Sequence, residues 1–179
     1  GRGTEFWSYF YPRLQLQFPA QLGEVKMDTF LKAANRVTPS QIRTEADELT
    51  YHFHVMIRYE IEKALIEGSL NAEDIPEKWN ELYQHYLGVQ PEDDKTGALQ
   101  DVHWSHGSFG YFPTYTLGSF YAAQFYAQAL QEITGLKEQM AAGDFSSLLG
   151  WLRNKVHVHG RKYNSERLCE LITGKPLDS

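Results

Sequence analysis

The side chains best suited to chemistry gather in two stretches of this sequence. In the first, Arg43, Asp47, Thr50 and His54 recur at spacings of three and four. On a helix such spacing sets a guanidinium, a carboxylate, a hydroxyl and an imidazole along one stripe. The stripe borders the apolar positions of the same segment, with Glu48, Tyr59 and Glu62 expected on the opposite, solvent side. A polar stripe at the edge of a core either pairs internally, as an Arg43–Asp47 i,i+4 pair would, or lines a cleft.

The second stretch runs Gly97-Ala98-Leu99-Gln100-Asp101-Val102-His103-Trp104 and lacks helical periodicity. A carboxylate two residues from an imidazole can orient it or hold it charged, and a buried indole beside them lowers the local dielectric. Gly107 to Tyr115 comes next. Its glycines lack the lysine and the spacing of a nucleotide-binding loop, so close backbone packing or a substrate-lining turn is the better reading. Tyr111 and Tyr115 lie four apart around Pro113 and are either hydrogen-bond donors to a cleft or core aromatics. His52/His54 and His157/His159 are His-x-His pairs, but residues two apart on a helix point in different directions. There is no His-Glu-x-x-His and only one cysteine, Cys169, in a helical apolar pattern that suits packing. No metal site is therefore expected within this sequence.

The elements that must position these residues read as helices. Thr38-Pro39-Ser40-Gln41 has the form of a helix start, and Ile42, Ala46, Leu49, Phe53, Met56, Ile57, Ala64 and Leu65 continue at three-to-four spacing to Gly68. This predicts one long helix from Pro39. A second helical unit is expected from Asn71 to Gly88, then a polar loop over Gln90–Lys95. Pro113 is expected to open a helix to about Ile133, Asp144 to cap one reaching Gly160, and Asn164 or Ser165 to begin a last one ending at Gly174. An aromatic amphipathic run, Phe6, Trp7, Phe10, Tyr11 and Leu14, begins almost at once and needs a partner surface. No strand-type alternation persists. The expected class is all-α.

Composition narrows the partners. Of 179 residues 42% are hydrophobic and 14% aromatic, ample for a core, while 22% are charged with both signs mixed. A formal charge of −6 speaks against a nucleic-acid track or an anionic membrane surface. No apolar run has the length of a membrane span, and a reducing, cytoplasmic setting is expected.

Two motifs carry a family resemblance. Ile42-Arg43-Thr44-Glu45-Ala46-Asp47 resembles the Ile-Arg-x-x-Ala-Asp motif of the M32, carboxypeptidase Taq-like metallocarboxypeptidases. Gly97-Ala98-Leu99-Gln100-Asp101-Val102-His103-Trp104 resembles that family's Gly-x-x-Gln-Asp-x-His-Trp motif, and the run Gly107–Gly118 is similar to the family's segment just after that motif. The resemblance implies an all-α, gluzincin-type peptidase with a deep substrate cleft. It further implies that residues 1–179 form a C-terminal region of the peptidase domain, lacking the zinc-binding His-Glu-x-x-His helix and the final residues. Zinc, homodimer formation and a peptide substrate with a free C-terminus are implied in the same way.

On that resemblance the reaction is metal-assisted hydrolysis of the last peptide bond. Arg43, oriented by Asp47 and assisted by Gln100, is the candidate clamp for the α-carboxylate, since a guanidinium offers two parallel charge-assisted bonds. His103 held by Asp101, with Tyr111 and Tyr115, are the candidates to meet substrate or the tetrahedral oxyanion. This chain would supply the substrate-side wall of the cleft and be inactive by itself. The competing readings are a non-catalytic helical interaction module or degenerate homologue, and an endo-acting or dipeptidyl relative.

Overall fold

The computed structural model describes residues 2–178. Among the described residues there is no strand, and the chain is all-helical as its periodicity implies. The helices are α1 (Thr4–Gln17), α2 (Pro19–Leu22), α3 (Met27–Ala34), α4 (Tyr51–Ile66), α5 (Ile75–Leu87), α6 (Pro113–Glu132), α7 (Leu136–Ala141), α8 (Ser146–Lys155) and α9 (Ser165–Thr173). Short 3-10 turns lie at Arg43–Glu45, Ala72–Asp74, Trp104–His106 and His157–His159. Among the described residues no helix is long and apolar enough to cross a membrane.

The chain divides into two compact units, Arg36–Gly118 and, together, the residues up to Asn35 and from Ser119 onward. In the central unit, Arg36–Gly118, α4 and α5 pack through Ile57, Ile61, Trp79, Leu82, Tyr83 and Leu87. The Trp79 and Tyr83 rings, one helical turn apart on α5, lie with centroids 5.0 Å apart and nearly parallel. Pro76 near the start of α5 supplies a preset φ where a missing N–H costs nothing. Gly88 ends the helix at φ 67°, a left-handed conformation that spares a Cβ clash and lets its N–H bond the Gln84 carbonyl.

The terminal unit is held by apolar contacts. Ala129, Leu136, Trp151 and Ile172, from α6, α7, α8 and α9, form its buried centre. The aromatic run near the start finds its surface within this unit. Trp7 and Tyr11 of α1 pack on Phe30 of α3 at 4.7 and 4.8 Å, and Phe10 lies 6.3 Å from Phe145. The Tyr11 hydroxyl donates to the Val25 carbonyl at 2.7 Å, satisfying the polar end of a buried ring.

Two expected helices differ from the structure. The long helix does not begin at Pro39: the chain there is extended, turns once at Arg43–Glu45, and becomes helical only from Tyr51. Asp47 explains this. Its carboxylate accepts the N–H groups of Thr38, Leu49 and Thr50 and the Thr50 hydroxyl, at 2.7 to 3.0 Å. An Asp that bonds backbone N–H groups this way offers the chain a turn in place of a helix, and here it closes the entry to α4. Met56 and Leu49, placed on the apolar face by the longer helix, are correspondingly exposed. The second case is α8, which stops at Lys155. His157 and His159 then lie in a 3-10 turn instead of a continuous helix to Gly160.

Candidate functional site

The two motif segments meet inside the central unit around one carboxylate, that of Asp101. Arg43 is 7% exposed. Its Nε and Nη2 donate to Asp101 Oδ1 at 3.0 and 2.6 Å, a two-pronged pairing, while Nη1 donates to the Tyr51 hydroxyl at 3.0 Å. From the other side Arg58, fully buried in α4, donates through Nε to Asp101 Oδ2 at 2.7 Å. Its Nη2 lies 2.6 Å from the same oxygen but off the hydrogen-bonding direction. Burial by itself would raise the Asp101 pKa; the bond from Arg43 and the charges of Arg58 and Arg43 hold it below the usual carboxylate range. Burial would likewise lower that of Arg43, but the Asp101 bond and charge keep it above its ordinary value.

Gln100 fixes the approach of the two segments. Its Oε1 accepts the Arg43 backbone N–H at 2.9 Å, and its Nε2 donates to the carbonyls of Gln41 and Thr96 at 3.1 and 2.7 Å. Gln100 thus bridges the motif segments through their backbones. Gly97 allows the turn that delivers it, because a Cβ there would stand 2.9 Å from the Asp93 carbonyl oxygen.

Around the arginines lies a layer of rings and neutral groups. The Arg58 guanidinium carbon sits 4.5 Å from the Trp79 ring centroid, a cation–π contact in a desolvated setting. Arg58 Nη1 donates to the His54 carbonyl at 2.8 Å and to the Tyr83 hydroxyl at 3.2 Å. Having accepted from Arg58, Tyr83 has its own proton for His54 Nδ1, 2.9 Å away. That arrangement suits a neutral imidazole. Burial first, then the charges of Arg58 and Arg43, lower the His54 pKa to about 4.

Glu62, 3% exposed, lies one turn beyond Arg58 on α4. Its oxygens accept the Trp104 indole N–H at 2.8 Å and the Gly110 N–H at 3.1 Å. Adjacent turns of one helix therefore hold the segment from Asp101 to Gly110: Arg58 grips Asp101, and Glu62 grips Trp104 and Gly110. His103 is carried on this segment. Its Nε2 lies 3.1 Å from the Tyr115 hydroxyl, and its ring is 4.3 Å from that of Phe112 and 5.8 Å from that of Tyr111.

Several expected contacts take a different form. Arg43, Asp47, Thr50 and His54 do not share a helical stripe, and Asp47 does not orient Arg43; Asp101 does, from 58 positions along the chain. Asp101 does not hold His103, whose Nδ1 is 4.0 Å from Oδ1 and makes no hydrogen bond. The His103 pKa is lowered by its burial, which outweighs the pull of Asp101. Glu62 is inside the unit, not on the solvent side. Arg58, Tyr51 and Tyr83 went unpredicted. A signal for Arg58 existed, because His54, Arg58 and Glu62 recur at intervals of four and share one face of α4.

Among the described residues no group of three or more His, Cys, Asp or Glu side chains could hold a metal ion. What the central unit offers is a buried guanidinium cluster beside an imidazole and two phenols. A family model described as "Carboxypeptidase Taq (M32) metallopeptidase" matches residues 1–179, and the chain belongs to that family. "Thermostable carboxypeptidase 1" of Thermus thermophilus is 48% identical over 175 residues, covering 98% of this chain and 34% of that protein. A solved structure of a protein called CHT is 57% identical with a TM-score of 0.96, over 99% of this chain and 36% of that one. The M32 carboxypeptidase of Deinococcus radiodurans is 42% identical with a TM-score of 0.94, again over 99% and 36%. This chain thus spans about a third of the length of the relatives it matches.

Proposed function

We propose that the protein carrying this chain is a metallocarboxypeptidase that releases C-terminal amino acids from peptides, and that residues 1–179 are a C-terminal region of its peptidase domain. The metal is proposed to be zinc, held by residues outside this chain. Within the reaction the central unit forms the substrate-side wall of the cleft, and the chain by itself has no peptidase activity. A cytoplasmic, homodimeric enzyme is part of the same reading.

The observation that carries it is the state of Arg43. A guanidinium has five N–H donors. Asp101 and Tyr51 between them engage one each on Nε, Nη2 and Nη1, which leaves one hydrogen on each terminal nitrogen. Charge-assisted donors of this kind suit the oxygens of a substrate α-carboxylate. Asp101 and Gln100 then act by positioning Arg43, one through its side chain and the other through its backbone. Asp47 contributes at one remove, by shaping the entry to α4. His103, Tyr111 and Tyr115 form the adjacent face, where an imidazole N–H or a phenol can donate to the substrate carbonyl as it becomes an oxyanion.

Replacing Arg43 with Ala in the full-length protein tests this. Turnover of peptides with a free C-terminus should fall by at least about a hundredfold in kcat/KM, as expected for losing a charge-assisted contact. Unchanged turnover would remove the clamp role. A helical interaction module without chemistry would show no hydrolysis in the unaltered full-length protein either.

A further inference from the structure

Arg58 touches neither solvent nor, on the reading above, substrate, yet it occupies the most enclosed position of the cluster. Its presence changes the charge balance. Arg43 and Asp101 alone would form a closed, neutral pair, and a neutral pair attracts a carboxylate weakly. With Arg58 on the second Asp101 oxygen, two guanidiniums share one carboxylate, and the triad has a net charge of +1. His54 is neutral and Tyr83 is held protonated by a pKa that burial raises, while the nearest other buried carboxylate, Glu62, directs its oxygens to the N–H groups of Trp104 and Gly110. Among the described residues Glu62 makes no ion pair with either arginine, and the other groups against Arg58 are the rings of Trp79 and Phe112.

Two guanidiniums on one buried carboxylate form an unbalanced set, because a desolvated charge normally has its own counter-ion. Asp101 cannot fully match both. From this geometry we infer that Arg58 is a positioning residue that acts through Asp101: it offsets the Asp101 charge from behind, leaving Arg43 electrostatically open to an incoming carboxylate. The inference rests on the clamp reading of Arg43 and goes beyond it, since it places the origin of carboxylate affinity on a residue in no contact with substrate. The second guanidinium of the triad gains its own counter-ion when the substrate's carboxylate arrives at Arg43. Arg58 thus belongs to ground-state recognition of the peptide terminus and not to the bond-breaking step.

The test uses the full-length protein with its metal and compares three variants on one peptide with a free C-terminus. Arg58→Gln should raise KM about tenfold while kcat changes less than about twofold, the pattern of lost uniform binding. Arg58→Lys keeps the charge and should hold KM within about threefold of the original, because the effect is coulombic and not a matter of fork geometry. Arg43→Ala separates the two layers of the reading. If its KM and kcat are unchanged, the clamp reading and this inference fall together. If Arg43→Ala is impaired while Arg58→Gln retains its KM, only the Arg58 inference falls. If Arg58→Lys is as impaired as Arg58→Gln, shape and not charge is at work, and the inference is overturned. Should Arg58→Gln fail to fold, Arg58→Lys decides alone: a KM within about threefold supports the inference and a rise of about tenfold overturns it.

Discussion

The two units of this chain solve the problem of a core in different ways. The terminal unit buries Tyr11, Ala129, Leu136, Trp151, Cys169 and Ile172, and its polar groups stay at the rim, as where the Trp151 indole donates to Glu132 at 2.6 Å. The central unit buries its own apolar set but adds Arg43, Thr50, His54, Arg58 and Glu62, which are all of the buried polar and charged residues among those described. Burying ions is costly and seldom the better route to stability. A unit that does so is organised for something else, and here the buried ions converge on the segments that carry the family motifs. One unit is built by area removed from water; the other also encloses a hydrogen-bonded network of ions.

Four measurements would sharpen or break that contrast. The largest effect is expected from Asp101→Ala, which strands two guanidiniums in a desolvated site and should cost about 3–5 kcal/mol in denaturant unfolding. A loss under about 1 kcal/mol would mean that the network is solvated and the contrast overstated. In the terminal unit Ile172→Ala should cost about 2–4 kcal/mol through a cavity, and by the same amount at every pH from about 4 to 7, since no titrating partner is involved.

Acid should separate the units next. The His54 pKa is about 4 in the folded chain, below the ordinary 6.5. Between those values the unfolded chain takes up a proton that the folded one refuses. Stability is therefore full above pH 6.5, falls as the pH drops from 6.5 towards 4, and changes no further from this group below 4. The loss should reach roughly 3 kcal/mol, and His54→Gln should flatten that part of the curve. An unaltered curve in the variant would show that His54 is not the responsible group. The smallest effect is expected from Asp47→Ala. Removing its bonds to the Leu49 and Thr50 N–H groups should cost about 1 kcal/mol and loosen the entry to α4, seen as faster amide exchange at Leu49 and Thr50.

Much of the fold could be read from local pattern. The helical class, the stop at Gly88, the start of α6 at Pro113 and the Asn164 cap on α9 all depend on nearby residues, and the structure has each of them. The Asn164 side chain accepts the Arg167 N–H at 2.8 Å, as a cap should. The start of α4 was not legible, because Pro39 and the spacing beyond it also suit a helix; only the competing bonds of Asp47 to Thr38 and Thr50 decide against it.

The same boundary runs through the site. By itself the sequence determined that Arg43, Gln100, Asp101 and His103 stand in two short motifs like those of the family. It could not say which carboxylate serves which cation. Spacing favoured Asp47 for Arg43 and Asp101 for His103, whereas the fold brings Asp101 to Arg43 and to Arg58, and leaves His103 to Tyr115. The physical reason is distance along the chain. Helix periodicity reports neighbours within one or two turns, but the partners of Asp101 lie 58 and 43 residues away. Only the packing of α4 against α5, and the segment gripped between Arg58 and Glu62, close those gaps.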